Sequence, residues 1–297
     1  MNNNRLSVLK TYKLYIGGQF PRTESGRYYK IEDNDKSVIA NVCLSSRKDF
    51  RNAVVAARAA FGKWSEMTAF NRSQILYRMA EMMEGRQQEL INELIKCGSN
   101  QKEAEKEVVA SIDRVVHYAG WCDKFSAVFS SVNPVASHYF NFSVPEPTGV
   151  VSVLSSEKYP LLSLVTLISA CISGGNTVIA LASEKSPLVA ICLAEILHTS
   201  DLPGGVVNIL TGNAKELHTH FASHMDVNAT ISCLEDKNLN DAIQNSAVDN
   251  LKRVYIKNNI DWTDNQQAEN PYLILDTQEV KTTWHPIENI GGAKSSY

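Results

Sequence analysis

Neither sign of charge dominates this chain of 297 residues, in which 29 lysines and arginines stand against 32 aspartates and glutamates for a net charge of -3. Without a basic field or a local basic cluster, nucleic-acid binding is disfavoured. Long apolar runs are also missing. The longest, Pro160 to Ile172, includes Ser and Thr and falls short of the roughly 20 residues that span a bilayer, so it reads as a buried helix and no membrane segment is expected. The stretch from Met1 to Lys10 has no apolar core of the kind a secretory signal carries. The six cysteines (Cys43, Cys97, Cys122, Cys171, Cys192, Cys233) form no C-x-x-C pair, which argues against a disulfide framework and for free thiols in a reducing cytoplasm. No G-x-G-x-x-G occurs anywhere, so a dinucleotide fingerprint of that type is absent.

What is present is an ordinary balance of 44% hydrophobic and 21% charged residues, enough for a sizeable core. Val, Ile and Leu runs bounded by Gly and Asn lie between Thr148 and Gly212: Thr148-Gly-Val-Val-Ser-Val-Leu, Gly174-Gly-Asn-Thr-Val-Ile-Ala-Leu and Leu202-Pro-Gly-Gly-Val-Val-Asn-Ile-Leu. Such runs read as buried parallel strands, and the apolar segments between them as crossover helices. Ala229 to Leu234 and Leu251 to Lys257 add a fourth and a fifth strand around a helix carrying Leu239, Ala242, Ile243 and Ala247. The expected fold class is therefore α/β, a doubly wound, Rossmann-like parallel sheet of about five strands with helices on both faces.

Upstream, Tyr12 to Phe20 reads as a strand and Gly-Gly hairpin, and Ser45 or Ser46 is placed to cap a helix with the stripe Phe50, Ala53, Val54, Ala57, Phe61. Further helices are expected from Phe70 to Cys97 and from Gln101 to Phe125, the latter carrying His117 as a packed or solvated residue. Ser130 to Pro147 is extended and aromatic, too narrow a strand pair to be stable by itself, and reads as an interface arm.

These landmarks, in this order, resemble the aldehyde dehydrogenase superfamily. Ala53-Val-Val-Ala-Ala-Arg-Ala-Ala-Phe before Trp64 is similar to the family's A-V-x-A-A-R-x-A-F, and Leu202-Pro-Gly-Gly-Val-Val-Asn is similar to its P-x-G-V-V-N. Asn270-Pro-Tyr-Leu-Ile-Leu-Asp resembles the segment that follows the family's coenzyme domain, and Glu279 to Ile287 resembles its last strand, which lies beside the projecting hairpin. Between those two pieces the family carries its catalytic domain with the nucleophilic cysteine; here almost nothing separates them. The resemblance thus implies a coenzyme-type domain over 1–129 and 148–276, an oligomerisation arm over 130–147 and 277–287, a tail over 288–297, and no catalytic domain. It is similar to the degenerate second module of the sixteenth aldehyde dehydrogenase family.

Carried over residue by residue, the resemblance places Lys158 at the family's oxyanion asparagine and Lys257 at its glutamate base. A charged lysine cannot serve as a carboxylate base, so both read as solvated side chains and no catalytic residue is expected. Of the pair that holds the adenosine ribose only Glu184 remains, with Leu181 replacing the lysine. Leu234 and Glu235 stand where a glycine and a serine admit the pyrophosphate; bulk and negative charge argue against NAD there, and Glu235 with Asp236 would cap the following helix. His220 and His224 share a possible metal spacing but lack a third ligand, so no metal is expected.

The leading expectation is a catalytically inactive aldehyde dehydrogenase-like subunit, without cofactor, that forms a homo-oligomer or pairs with a complete aldehyde dehydrogenase. The alternative is an NAD(P)-dependent aldehyde oxidoreductase that borrows its nucleophile from such a partner. A third reading is a small-molecule sensor using the crevice at the strand ends.

Overall fold

Two apolar layers sandwich a five-stranded parallel sheet, in the order Arg253–Ile256, Ala229–Ser232, Val150–Leu154, Thr177–Leu181, Val207–Leu210. The computed structural model describes residues 8–32 and 36–287, and the expected tail over 288–297 lies outside them. Strands Val150–Leu154 and Thr177–Leu181 are buried at every position, as expected of strands covered on both faces. Their side chains divide by parity. Val151, Val153, Val178 and Ala180 join one core, with helices Leu162–Ser173 and Pro187–His198. Val150, Leu154, Ile179 and Leu181 join the other, beneath helices Arg47–Ser65, Ala214–Ser223 and Lys237–Val248. The period of two along each strand thus separates the cores.

Helix Arg47–Ser65 opens on a capping box: Asp49 receives the Ser46 amide at 2.8 Å while the Ser46 hydroxyl accepts from Asp49 N. The single helix expected from Phe70 to Cys97 is two, Ala69–Gly85 and Gln87–Lys96. Gly85 is a poor helix former, and Arg86 leaves the helical backbone at φ -115° while its guanidinium reaches Glu89 and Glu195. Helix Gln101–Trp121 likewise ends before the expected Phe125, which starts a separate turn, Phe125–Phe129.

The Gly17-Gly18 hairpin is shorter than expected. Both glycines have positive φ and close a bridge from Ile16 to Gln19, whereas Thr11–Tyr12 pairs parallel with Val38–Cys43 and Tyr15 bridges Ile209 at the edge of the main sheet. A Cβ on Gly18 would meet Gly204 at 2.9 Å, so the turn is glycine by close approach as well as by φ. A strand Tyr28–Glu32, not anticipated from the sequence, completes this small sheet against Val38–Cys43.

A third sheet stands at the edge. Tyr139–Pro147 lies in its centre, antiparallel to Ser131–Asn133 on one side and to Gln278–Pro286 on the other, with Thr282 opposite Ser143. The chain enters Gln278–Pro286 from the short helix Tyr272–Leu275 through Asp276 and Thr277 alone.

Candidate functional site

The strand order reverses between Val150–Leu154 and Ala229–Ser232, and the crevice beyond their carboxyl ends is where an open α/β sheet offers a ligand site. A cleft of about 500 Å³ lies there, lined by residues that include Ser155, Glu157, Glu184, Lys215, Leu234 and Asp236.

Two helix starts that face this cleft, and the loop before a third, already have acceptors supplied by the chain. Asp236 caps Lys237–Val248, its Oδ1 accepting from Asn238 N at 2.9 Å and from Leu239 N at 3.4 Å. The capping role expected of Glu235 and Asp236 together falls to Asp236, and Glu235 is exposed one residue earlier. The Glu157 carboxylate gathers the Ser183 hydroxyl at 2.6 Å and the amides of Glu184 and Lys185 at 2.8 and 3.2 Å, ordering the loop before Pro187–His198. Asn213 caps Ala214–Ser223 and donates to Glu184 Oε1 at 3.0 Å. Burial, followed by the neighbouring Glu157 charge, raises the pKa of the Glu184 carboxyl.

Further along the sheet, Glu107 is buried on helix Gln101–Trp121 and accepts from Leu161 N and Leu162 N at 2.8 and 3.0 Å, which closes the start of Leu162–Ser173. Its carboxyl is raised by burial, partly offset by those two amides. The sequence signal was there to be read, since Glu107 falls on the stripe Ala104, Val108, Ser111, Ile112, Val115, where a charge needs a partner.

Leu181 points into the core, with its carbonyl accepting from Ser155 N at 3.1 Å and from the Ser155 hydroxyl at 2.6 Å. Lys158 is exposed, its ammonium 5.5 Å from the centre of the Tyr159 ring. Lys257 corrects an expectation: instead of being solvated it is three-quarters buried, with Nζ 2.7 Å from Asp276 Oδ2 and its backbone amide on Ser232 O at 2.7 Å. Asp276 sits just before the arm strand, so the lysine ties the last strand of the main sheet to the base of the arm.

All six cysteines are free, and all but Cys97 are buried. Burial pushes the thiols of Cys122, Cys171, Cys192 and Cys233 up to about 12 and that of Cys97 up to about 11, the reverse of what activates a nucleophile. His220 and His224 do not share a helical face, because His224 is the C-cap of Ala214–Ser223 with ψ 125°; its Nδ1 accepts from Asp226 N at 3.2 Å. Among the described residues no group of three or more His, Cys, Asp or Glu side chains could hold a metal ion. His117 is packed, its Nε2–H donating to Glu269 O at 2.9 Å, beside an Arg114 guanidinium that reaches Thr166, Trp262 and Asn265. Among the described residues no helix is long and apolar enough to cross a membrane.

A doubly wound sheet with a crevice at its switch point and a small three-stranded sheet at its edge defines a Rossmann-like α/β architecture. Residues 20–258 match the aldehyde dehydrogenase family, and the chain belongs to it. It is 35% identical over 229 residues to the cytosolic 10-formyltetrahydrofolate dehydrogenase of Mus musculus, covering 75% of this chain and 25% of that protein. Its identity to the mitochondrial 10-formyltetrahydrofolate dehydrogenase of Homo sapiens is 31% over 263 residues, covering 86% of this chain and 28% of that one. An aldehyde dehydrogenase from Bacillus cereus, solved as an NAD+ complex, superposes with a TM-score of 0.79 at 26% identity, over 83% of this chain and 50% of the other. The chain therefore spans about a quarter of these curated relatives and half of the structural one.

Proposed function

We propose that this chain is a catalytically inactive aldehyde dehydrogenase-like protein of the cytoplasm, acting as an assembly or regulatory subunit through its three-stranded arm. The observation that carries the reading is the direct passage from Tyr272–Leu275 into Gln278–Pro286, which pairs along its whole length with Tyr139–Pro147 although no lobe stands between the two elements.

The chemistry of the crevice supports the same reading. Thiohemiacetal chemistry needs a thiolate, an oxyanion donor and a base. Here the one thiol at the strand ends, Cys233, is buried and held protonated, Lys257 is committed to Asp276, and Lys158 projects to solvent. The residues do not fit a dinucleotide either. A pyrophosphate brought to the start of Lys237–Val248 would meet the Asp236 carboxylate on the amides it needs, with Glu235 and Leu234 beside them. Glu184, the retained ribose candidate, is engaged by Asn213.

The test pairs light scattering of the purified chain with an aldehyde-oxidation assay in the presence of NAD or NADP. An assembly with no activity above background supports the proposal. Turnover by the isolated chain contradicts it, and turnover that appears only when a complete aldehyde dehydrogenase with a disabled cysteine is added favours the oxidoreductase alternative.

A further inference from the structure

The cleft beyond Ser155 refuses a dinucleotide, and the sign of its charges points to what it would accept. Four carboxylates line it, those of Glu157, Glu184, Glu235 and Asp236, against the two ammonium groups of Lys185 and Lys215. Among the described residues none of the four carboxylates forms an ion pair. Glu157 commits its oxygens to the Ser183 hydroxyl and to the amides of Glu184 and Lys185, but Glu184 Oε2 and Asp236 Oδ2 accept no hydrogen bond, and neither does the exposed Glu235. Lys215 opposes the upward shift of the Glu184 carboxyl, yet burial and the Glu157 charge outweigh it, so the lysine does not neutralise the pair.

Two further features make this more than an acidic rim. A recess of about 10 Å³, bounded in part by Ser155, Glu157, Glu184 and Gly212, adjoins the cleft, and that volume holds about one water- or ammonium-sized group. Beside it, the Tyr29 hydroxyl is buried without a hydrogen-bond partner, within electrostatic reach of both Glu184 and Glu157. A buried hydroxyl left unpaired next to two carboxylates is a further acceptor for a head group that only donates. Between the charged walls the lining is apolar, with Ala214, Leu234 and Leu239.

Going beyond the assembly reading, and independently of it, we infer that this cleft binds a linear aliphatic diamine, with one ammonium at Glu184 and the recess, the other at Glu235 and Asp236, and the methylenes against Leu234 and Leu239. The spacing follows from the sheet. Glu184 stands after Thr177–Leu181, and Glu235 and Asp236 stand after Ala229–Ser232, with Val150–Leu154 between the two strands. Strands two places apart are separated by about 10 Å. A four-carbon diamine spans about 6 Å between its nitrogens, and a charge-assisted hydrogen bond of about 2.8 Å at each end extends that reach to about 12 Å. An ammonium carries three donors and no acceptor, so the groups that repel a pyrophosphate are the ones that it needs.

The experiment is calorimetric titration of the full chain with diaminobutane, with butylamine, butanediol and succinate as controls at matched ionic strength, repeated on Glu184→Gln and Glu235→Gln. Both variants keep a side-chain oxygen, so Asn213 retains its acceptor and the fold, checked by circular dichroism, should be unchanged. Diaminobutane should bind saturably, butylamine about tenfold more weakly, and each variant should lose about tenfold in affinity for the diamine. Butanediol and succinate should give no binding. The inference is overturned by no saturable heat from diaminobutane up to about 10 mM, by butanediol binding equally well, or by indifference to both substitutions. A chain that binds neither diaminobutane nor NAD loses the diamine site and keeps the inactive-subunit reading. One that binds diaminobutane and also oxidises aldehydes keeps the site and loses that reading.

Discussion

Glu107 accepts a hydrogen bond from the backbone amide of Leu161 at 2.8 Å, so the start of Leu162–Ser173, the first crossover helix of the sheet, is closed by a carboxylate of the chain itself. A second bond to Leu162 N at 3.0 Å shares the same oxygen. Removing that acceptor leaves two amides without a partner in a buried place. Glu107→Ala is expected to lower unfolding free energy by about 2–3 kcal/mol, while Glu107→Gln, which keeps an oxygen at that position, should lose about 1 kcal/mol or less. Urea denaturation of the two variants checks this; equal losses would mean that the cap is not what Glu107 contributes.

Asp236 makes the corresponding contact at Lys237–Val248, but at the surface. Asp236→Ala should cost about 1 kcal/mol, the usual value of an N-cap. The same variant tests the crevice, because freeing those amides while Leu181, Leu234 and Glu235 remain should not by itself admit NAD. Binding by Asp236→Ala alone would show that one carboxylate was the whole obstacle.

The thiols give a third prediction. With Cys122, Cys171, Cys192 and Cys233 pushed up to about 12 and Cys97 to about 11, and with Cys97 alone partly exposed, no thiolate forms readily near neutrality among these five. The native chain at pH 8 should react slowly with a disulfide reagent, and all six thiols should react once it is unfolded. Fast modification of Cys233 would revive it as a nucleophile.

The histidines set the acid limit. Burial holds His117, His220 and His224 below the ordinary imidazole range; at His117 the Glu269 carboxylate opposes that shift, while Arg114 and Lys124 reinforce it. Folded pKa values below the unfolded one mean that the unfolded chain binds more protons, so stability fully present above about pH 6.5 is lost as pH falls from there through the folded values. Glu107 and Glu184, raised by burial, act with the opposite sign. The urea midpoint should fall between pH 7.5 and pH 5.5, and His117→Gln with His224→Asn should flatten that slope. A midpoint that rises on acidification would contradict the assignment.

The strands of the main sheet, their crossover helices and the arm were legible because burial on both faces imposes continuous Val, Ile and Leu runs, and because Gly174-Gly175 and Asn176 punctuate them. The break at Arg86 was not, since the apolar stripe continues through it and, of the two carboxylates that the Arg86 guanidinium reaches, only Glu89 is near in sequence while Glu195 converges on it only in the fold. The strand Tyr28–Glu32 was missed for a similar reason: only one of its five positions is buried, so it carries little apolar pattern. At the crevice, substitution by substitution, Lys158, Leu181 and Glu235 could be read in the sequence, whereas the partners could not. Nothing in Lys257 announces Asp276, and nothing in Glu157 announces the amides of the loop that it gathers.

The most direct measurement is calorimetric titration of the chain, at a mass fixed by light scattering, with NAD and then NADP. A catalytically inactive subunit with this crevice should give no binding heat up to millimolar nucleotide, a concentration at which even a weak site of about -4 kcal/mol would be half filled. Saturable binding at micromolar nucleotide would contradict it, and would return Glu184 and the cleft between Ser155 and Leu239 to the role of a working coenzyme site.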